Sequence, residues 1–84
     1  MAWTDIFVKD RAGVYLEYYP DTDELTITDS GGTIDIIDCV MNYSCDELVK
    51  AVRESFKEAK MDVEESTVYY GVRDVMSGEK DFWE

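Results

Sequence analysis

The sequence of 84 residues contains no histidine, one proline, two cysteines and only eight basic residues. Without histidine, the Ser-His-Asp and Cys-His nucleophile systems and the usual zinc ligand sets cannot be assembled. Eight bases against 20 acids give a formal net charge of −12 at pH 7. Because binding to phosphates needs clustered Lys and Arg side chains, this balance argues against direct binding of nucleic acid or of an anionic membrane. It favours a basic partner.

Sequence features of secretion and membrane insertion are also missing. The first five residues, MAWTD, carry no base and precede no apolar run, so no secretory signal is expected. No stretch approaches the roughly 20 apolar residues that a membrane span requires. Two cysteines, Cys39 and Cys45, are fewer than a small secreted domain normally uses. We therefore expect one cytoplasmic domain over residues 1–84.

Alternating apolar and polar residues run through the first forty positions and predict an antiparallel meander. The predicted strands cover residues 3–8, 14–19, 24–29 and 33–39. A four-residue loop at 20–23 would pair Tyr19 with Glu24, and a two-residue loop at 31–32 would pair Thr28 with Asp35. This register predicts a core face of apolar side chains: Leu16, Leu25, Ile27, Ile34 and Ile36. It predicts a second, solvated face with the remaining strand residues: Tyr15, Glu17, Tyr19, Glu24, Thr26, Thr28, Asp35 and Ile37.

A capping box predicts the start of a helix, because Ser44 is followed three positions later by Glu47. Apolar residues then recur at spacings of three and four, which predicts an amphipathic helix over residues 45–60. Residues 67–76 read as a long strand, and a turn at Ser77 and Gly78 would lead to a final strand over 80–83. The predicted fold is α+β, with one helix packed on a single antiparallel sheet of about five or six strands.

The negative charge is unevenly distributed along the chain. Residues 1–40 carry nine acids and two bases, a net charge of −7, and residues 61–84 carry seven acids and two bases, a net charge of −5. Residues 41–60, which contain the predicted helix, carry four of each and are neutral. The charge is therefore expected on the sheet and its turns.

Such a sheet surface could imitate the phosphate backbone of a nucleic acid. Alternate residues of a strand lie about 6.6–6.8 Å apart on one face, so their carboxylates present separated charges to a groove of Lys and Arg side chains. Tyrosines between them would add rigid contact area. The predicted partner-binding residues are Tyr15, Glu17, Tyr19, Asp21, Asp23, Glu24, Asp29 and Asp35.

Other chemistries fit the sequence less well. A calcium loop beginning at Asp21 would need a ligand at residue 25 and a glycine at residue 26, where Leu25 and Thr26 stand. Cys39 and Cys45 would supply only two ligands of a metal site, and their expected role is that of small buried apolar residues. Carboxylate pairs could serve a glycosidase, but a domain this small leaves little room for a cleft. No enzymatic activity, metal or cofactor is expected.

In size, charge and predicted layout the chain resembles phage-encoded inhibitors of host defence, including some anti-CRISPR and anti-restriction proteins. The resemblance is compositional and rests on no alignable motif. It implies an inhibitor in the host cytoplasm, monomeric or homodimeric, that blocks the nucleic-acid-binding surface of a basic protein or effector complex. The alternative is a small acidic scaffold or regulatory subunit whose charge serves solubility. Its interface would be aromatic: Tyr69, Tyr70, Phe82 and Trp83.

Overall fold

In the computed structural model, which describes residues 2–80, four strands form one antiparallel sheet followed by two helices. The strands pair in sequence order and are β1 (Ala2–Asp5), β2 (Tyr15–Tyr19), β3 (Glu24–Asp29) and β4 (Gly32–Ile37). A 3-10 turn at Val40–Asn42 precedes α1 (Cys45–Glu58) and α2 (Glu65–Val75). The α+β class is therefore confirmed, whereas the predicted five or six strands and single helix are not.

The segment 67–76, predicted as a strand, belongs to α2. Its buried residues Val68, Val72 and Val75 recur at spacings of four and three, which is the period of a helix rather than of a strand. The helix packs on β1 and β2, and Gly71 lies close to Ile6, the residue after β1, because a Cβ added at Gly71 would lie 1.9 Å from Ile6 Cδ1. The predicted C-terminal hairpin is thus wrong in its first strand. Its second strand falls on residues 81–83, outside the described residues, and on residue 80, which is in no strand.

The start of α1 is confirmed in detail. The Ser44 Oγ accepts a hydrogen bond from the backbone N–H of Glu47 at 3.2 Å, and the Glu47 carboxylate accepts one from the backbone N–H of Ser44 at 2.9 Å. This reciprocal pair satisfies two backbone donors that the helix itself leaves open. The inner side of α1 then buries Leu48, Val52 and Phe56 in the shared core.

The predicted register is confirmed for one hairpin and wrong for the next. Between β2 and β3, Tyr19 pairs with Glu24, as the four-residue loop predicted. Between β3 and β4, Asp29 pairs with Gly32, so the loop is Ser30 and Gly31, and an irregularity follows in the ladder. Because a shift of one residue turns each following side chain to the other face, the predicted faces are reversed for Asp35, Ile36 and Ile37.

The reversal exchanges the predicted positions of the last residues of β4. Ile37, expected on the solvated face, is buried in the core. Ile36, expected in the core, is 48% exposed. Asp35 pairs with the buried Ile27 and therefore lies on the side of the sheet that the helices cover. Ile34 is half-buried and packs against the core.

Candidate binding face

One face of the sheet stays open. The helices pack against β1, β2 and β4 on the side where Leu16, Leu25 and Ile27 are buried. Within residues 2–80 no element packs on the opposite side, where Trp3 is 61% exposed. One-sided burial of this kind is typical of antiparallel sheets. The open side is therefore the largest surface on which strand side chains can meet a partner.

The register places an aromatic ring directly opposite each carboxylate on this open side. Six residues form three cross-strand pairs, and we call them the acid–aromatic face. The pairs are Trp3 with Glu17, Asp5 with Tyr15, and Glu24 with Tyr19. Residues directly opposite in an antiparallel pair have Cβ atoms about 4.5–5.5 Å apart, so each ring lies beside its carboxylate.

The three carboxylates of this face form a diagonal row. Glu17 on β2 lies opposite Thr26 on β3 and opposite Trp3 on β1. Glu24 is two positions from Thr26 along β3, and Asp5 is two positions from Trp3 along β1. Such diagonal neighbours are about 7–8 Å apart. The face therefore carries a line of separated negative charges across three strands.

Basic side chains lie elsewhere among the described residues. Arg11 is 3.5 Å from the Asp29 carboxylate at the end of β3, and Arg53 on α1 is 3.5 Å from Glu65 on α2. No Lys or Arg falls at a strand position of the sheet within residues 2–80. The charge of the acid–aromatic face is thus not neutralised by an ion pair that these strands could supply.

Two contacts order the side chains of the face. The rings of Trp3 and Tyr15 meet edge to face, with centroids 6.2 Å apart and planes at 74°. Desolvation, followed by a hydrogen bond to Glu17 and the charge of that carboxylate, raises the pKa of Tyr19. The Tyr19 side chain and the Glu17 carboxylate are therefore electrostatically coupled on this face.

The segment of net charge −5 does not belong to the sheet. Residues 65–75 of that segment form α2, so acids such as Glu65 and Asp74 lie on a helix. The prediction that the sheet and its turns carry all of the excess charge is therefore correct only for residues 1–40. On the helical side the acids are interspersed with Lys50, Arg53 and Lys57 of α1.

The predicted binding residues divide between the face and other positions. Tyr15, Glu17, Tyr19 and Glu24 belong to the acid–aromatic face. Asp21 is exposed in the turn after β2. The Asp29 carboxylate accepts the backbone N–H of Gly31 at 2.8 Å and lies beside Arg11, so it serves the turn.

Asp35 has a structural role instead of the predicted place on the solvated face. Its carboxylate accepts hydrogen bonds from the backbone N–H of Ile36 at 2.8 Å and from the Ser55 hydroxyl of α1. This carboxylate therefore ties the edge strand β4 to the helix above it. The physical reason for the error is the one-residue shift of the β4 register.

Asp23 is likewise occupied by contacts within the fold. Its carboxylate accepts the Tyr18 hydroxyl at 2.7 Å and the backbone N–H of Met41 at 3.2 Å. Its backbone has φ 55°, in the left-handed region. Asp23 therefore joins the β2–β3 turn to the 3-10 turn before α1.

The buried Tyr18 hydroxyl predicts an alkaline limit to stability. Desolvation, followed by the hydrogen bond and charge of Asp23, raises the pKa of Tyr18 to about 12 from 10.0. Because the folded state holds this proton more tightly than the unfolded chain, its contribution is complete below pH 10 and is lost as the pH rises to about 12. We expect the ionisation of Tyr18 to lower the free energy of unfolding by roughly 2–3 kcal/mol over that pH range.

Urea unfolding at a series of alkaline pH values measures this slope. Tyr18→Phe should show a shallower decline than the unchanged protein, whereas Tyr70→Phe, altered at an exposed tyrosine, should follow the unchanged protein. Equal slopes for Tyr18→Phe and Tyr70→Phe would contradict the assignment.

Trp3, Asp5 and Ile36 of the open side were not predicted as site residues. The alternation of Trp3, Asp5 and Phe7 with buried Ile6 and Val8 could have indicated the first two. For Ile36, the signal was hidden by the irregularity in the β3–β4 ladder.

The structure also bears on the other predicted features. Cys39 is exposed with φ 55°, contrary to the buried role predicted for it, and Cys45 is half-buried against the core. No group of three or more potential metal ligands occurs within residues 2–80. Neither described helix is long and apolar enough to span a membrane.

The fold and this face define a small α+β protein with an open, acidic and aromatic sheet surface. Comparison of the chain with protein-family models, curated proteins and solved structures finds no match.

Proposed function

We propose that this protein is a binding module without catalytic activity that attaches through the acid–aromatic face to a basic surface of another protein. In this proposal it takes the place of a nucleic acid on that surface, as a phage-type inhibitor of the anti-CRISPR or anti-restriction kind would. The observation that supports it is the row of three carboxylates, each opposite an aromatic ring, on a sheet face whose described strands carry no Lys or Arg. A basic groove complements both parts of that pattern.

Electrostatic attraction and aromatic contact would contribute to binding in different ways. The net charge of −12 attracts a basic surface over distance and raises the association rate, and salt weakens this attraction. Trp3, Tyr15 and Tyr19 provide amphipathic contact area of the kind enriched at interfaces. Affinity should therefore fall steeply, but not completely, with ionic strength.

A basic peptide of alternating Lys and Arg, prebound to a fluorescent DNA duplex, tests the proposal. We expect the protein to bind the peptide and to release the duplex. Reversing the three face charges (Asp5→Lys, Glu17→Lys and Glu24→Lys) should weaken peptide binding roughly 100-fold at about 0.05 M NaCl, because three attractions become repulsions.

A matched variant separates the face from the total charge. Glu54→Lys, Glu58→Lys and Asp74→Lys alter exposed helix positions and give the same net charge of −6 as the face variant. This control should keep most of the affinity. Equal losses in the two variants would reject the acid–aromatic face as the binding surface. The neutral variant Asp5→Asn, Glu17→Gln and Glu24→Gln repeats the test without introducing new charges, in case the charge-reversal variant does not fold.

One observation favours the alternative of a scaffold with an aromatic interface. Tyr70 is 57% exposed and meets Tyr69 edge to face, with centroids 5.2 Å apart. Both line a groove between α1 and α2 that also contains Val49 and Arg53. Phe82 and Trp83, the other residues of this predicted interface, lie outside the described residues. A partner held here would be weakened by Tyr70→Ala and would respond little to salt.

A further inference from the structure

A shallow depression lies on the β1–β2 half of the acid–aromatic face, lined by Trp3, Asp5, Tyr15 and Glu17. We propose that this depression binds one arginine side chain of the partner, and we call it the arginine seat. The inference rests on the proposed function and adds to it the residue type that the partner must present.

The aromatic walls of the depression suit a planar cation. The rings of Trp3 and Tyr15 meet edge to face at 74° with centroids 6.2 Å apart, and both line the depression. A cation within about 6 Å of a ring centroid is attracted by the negative face of the ring, and Trp attracts it most strongly. Trp3 is 61% exposed, so its ring is open to such a contact.

The carboxylates of the depression provide hydrogen-bond acceptors and negative charge beside the rings. Glu17 lies directly opposite Trp3, and Asp5 lies directly opposite Tyr15. A cation resting on a ring therefore has a carboxylate beside it on the adjacent strand. Behind desolvation, Glu17 raises the pKa of Tyr19, so these two side chains are close on this face, and a carboxylate has two oxygens that can accept hydrogen bonds from a ligand.

Arginine fits this set better than lysine. Its guanidinium is planar and weakly hydrated, stacks on aromatic faces and carries five N–H donors, which can serve two carboxylates at once. A lysine ammonium is compact and strongly hydrated, and it gains less from the rings. The depression is therefore expected to distinguish two side chains of equal charge, which a line of carboxylates alone does not do.

Two peptides of equal length and charge, one of arginine and glycine and one of lysine and glycine, test the seat. At equal ionic strength we expect the arginine peptide to bind roughly two- to fivefold more tightly, a difference no larger than one exposed cation–π contact. Trp3→Ala should bring this ratio close to one. Phe7→Ala, which removes a ring that is 78% exposed but does not line the depression, should leave the ratio unchanged.

An NMR measurement tests whether the arginine side chain contacts Trp3. The indole N–H signal of Trp3, assigned with Trp83→Phe, should shift on addition of N-acetyl-arginine amide and much less with N-acetyl-lysine amide. The shift should disappear in Asp5→Asn with Glu17→Gln, and persist in Glu54→Gln with Glu58→Gln, which alters charge equally on α1. Equal shifts with the two amides, or no shift with either, would overturn the seat.

The outcomes also separate the seat from the proposed function. If both peptides bind equally and both are lost in the face-reversal variant, the acid–aromatic face is a binding surface and the arginine seat is wrong. If the face-reversal variant and its helix control bind both peptides alike, the proposed function and the seat are both rejected.

Discussion

Phe56→Ala is expected to lower the free energy of unfolding by about 3–5 kcal/mol, the usual cost of removing a buried aromatic ring. Phe56 lies on the inner side of α1 and is one of the largest fully buried side chains. Small domains are stable by only about 5–15 kcal/mol, so this single change removes about a fifth or more of the total. The loss includes the transfer of the ring and the cavity that it leaves.

Chemical denaturation of the unchanged protein, Phe56→Ala and Phe7→Ala measures this effect. Phe7 is 78% exposed, so its removal should change stability by no more than about 0.5 kcal/mol. A loss below about 1 kcal/mol for Phe56→Ala would show that the ring is not part of the core. Peptide affinity of the folded fraction should remain unchanged, because α1 lies on the side of the sheet opposite the acid–aromatic face.

The sequence allowed prediction of those elements whose signals are local. The Ser44–Glu47 capping box and the four-residue turn after Tyr19 depend on neighbours within a few positions, and both are confirmed. The turn residues also determined the faces of β2 and β3 correctly. Four residues of the acid–aromatic face could therefore be placed from sequence alone: Tyr15, Glu17, Tyr19 and Glu24.

The errors arise where a longer-range contact decides. The segment 67–76 is rich in Val and Tyr, which favour strands, but packing of its helical stripe on β1 and β2 outweighs that preference. In β4 the irregularity in the ladder adds one unpaired residue, which no turn motif in the sequence predicts. It exchanges the faces of the sheet on which Asp35 and Ile36 lie. This one irregularity moved Asp35 to the covered side of the sheet and exposed Ile36.

The architecture explains why one side of the sheet is open for the proposed binding surface. Both helices follow the meander and pack on the same side of the sheet, so the core is complete without the opposite side. The alternating residues of β1–β3 on that opposite side are then released from packing and can combine acids with aromatics. Charge that would destabilise a core is thereby concentrated on the surface that we propose meets a basic partner.

Asp23→Ala is expected to lower the free energy of unfolding by roughly 2–4 kcal/mol, even though Asp23 was predicted from sequence as a binding residue. The change removes the acceptor of the buried Tyr18 hydroxyl and of the Met41 N–H, and it leaves alanine at φ 55°. Left-handed backbone costs a residue other than glycine about 1–2 kcal/mol, and a lost hydrogen bond to a charged group costs about 1.5–3 kcal/mol.

Three further variants divide this loss into its causes and separate structure from binding. Asp23→Gly relieves the backbone term alone, Asp23→Asn tolerates the left-handed backbone and keeps an acceptor, and Asp21→Ala removes an exposed acid from the same turn. We expect stability to fall in the order Asp21→Ala, Asp23→Asn, Asp23→Gly and Asp23→Ala. If Asp23→Ala instead unfolds like Asp21→Ala and loses only peptide affinity, Asp23 is a contact residue. The join between the β2–β3 turn and the 3-10 turn then does not depend on its carboxylate.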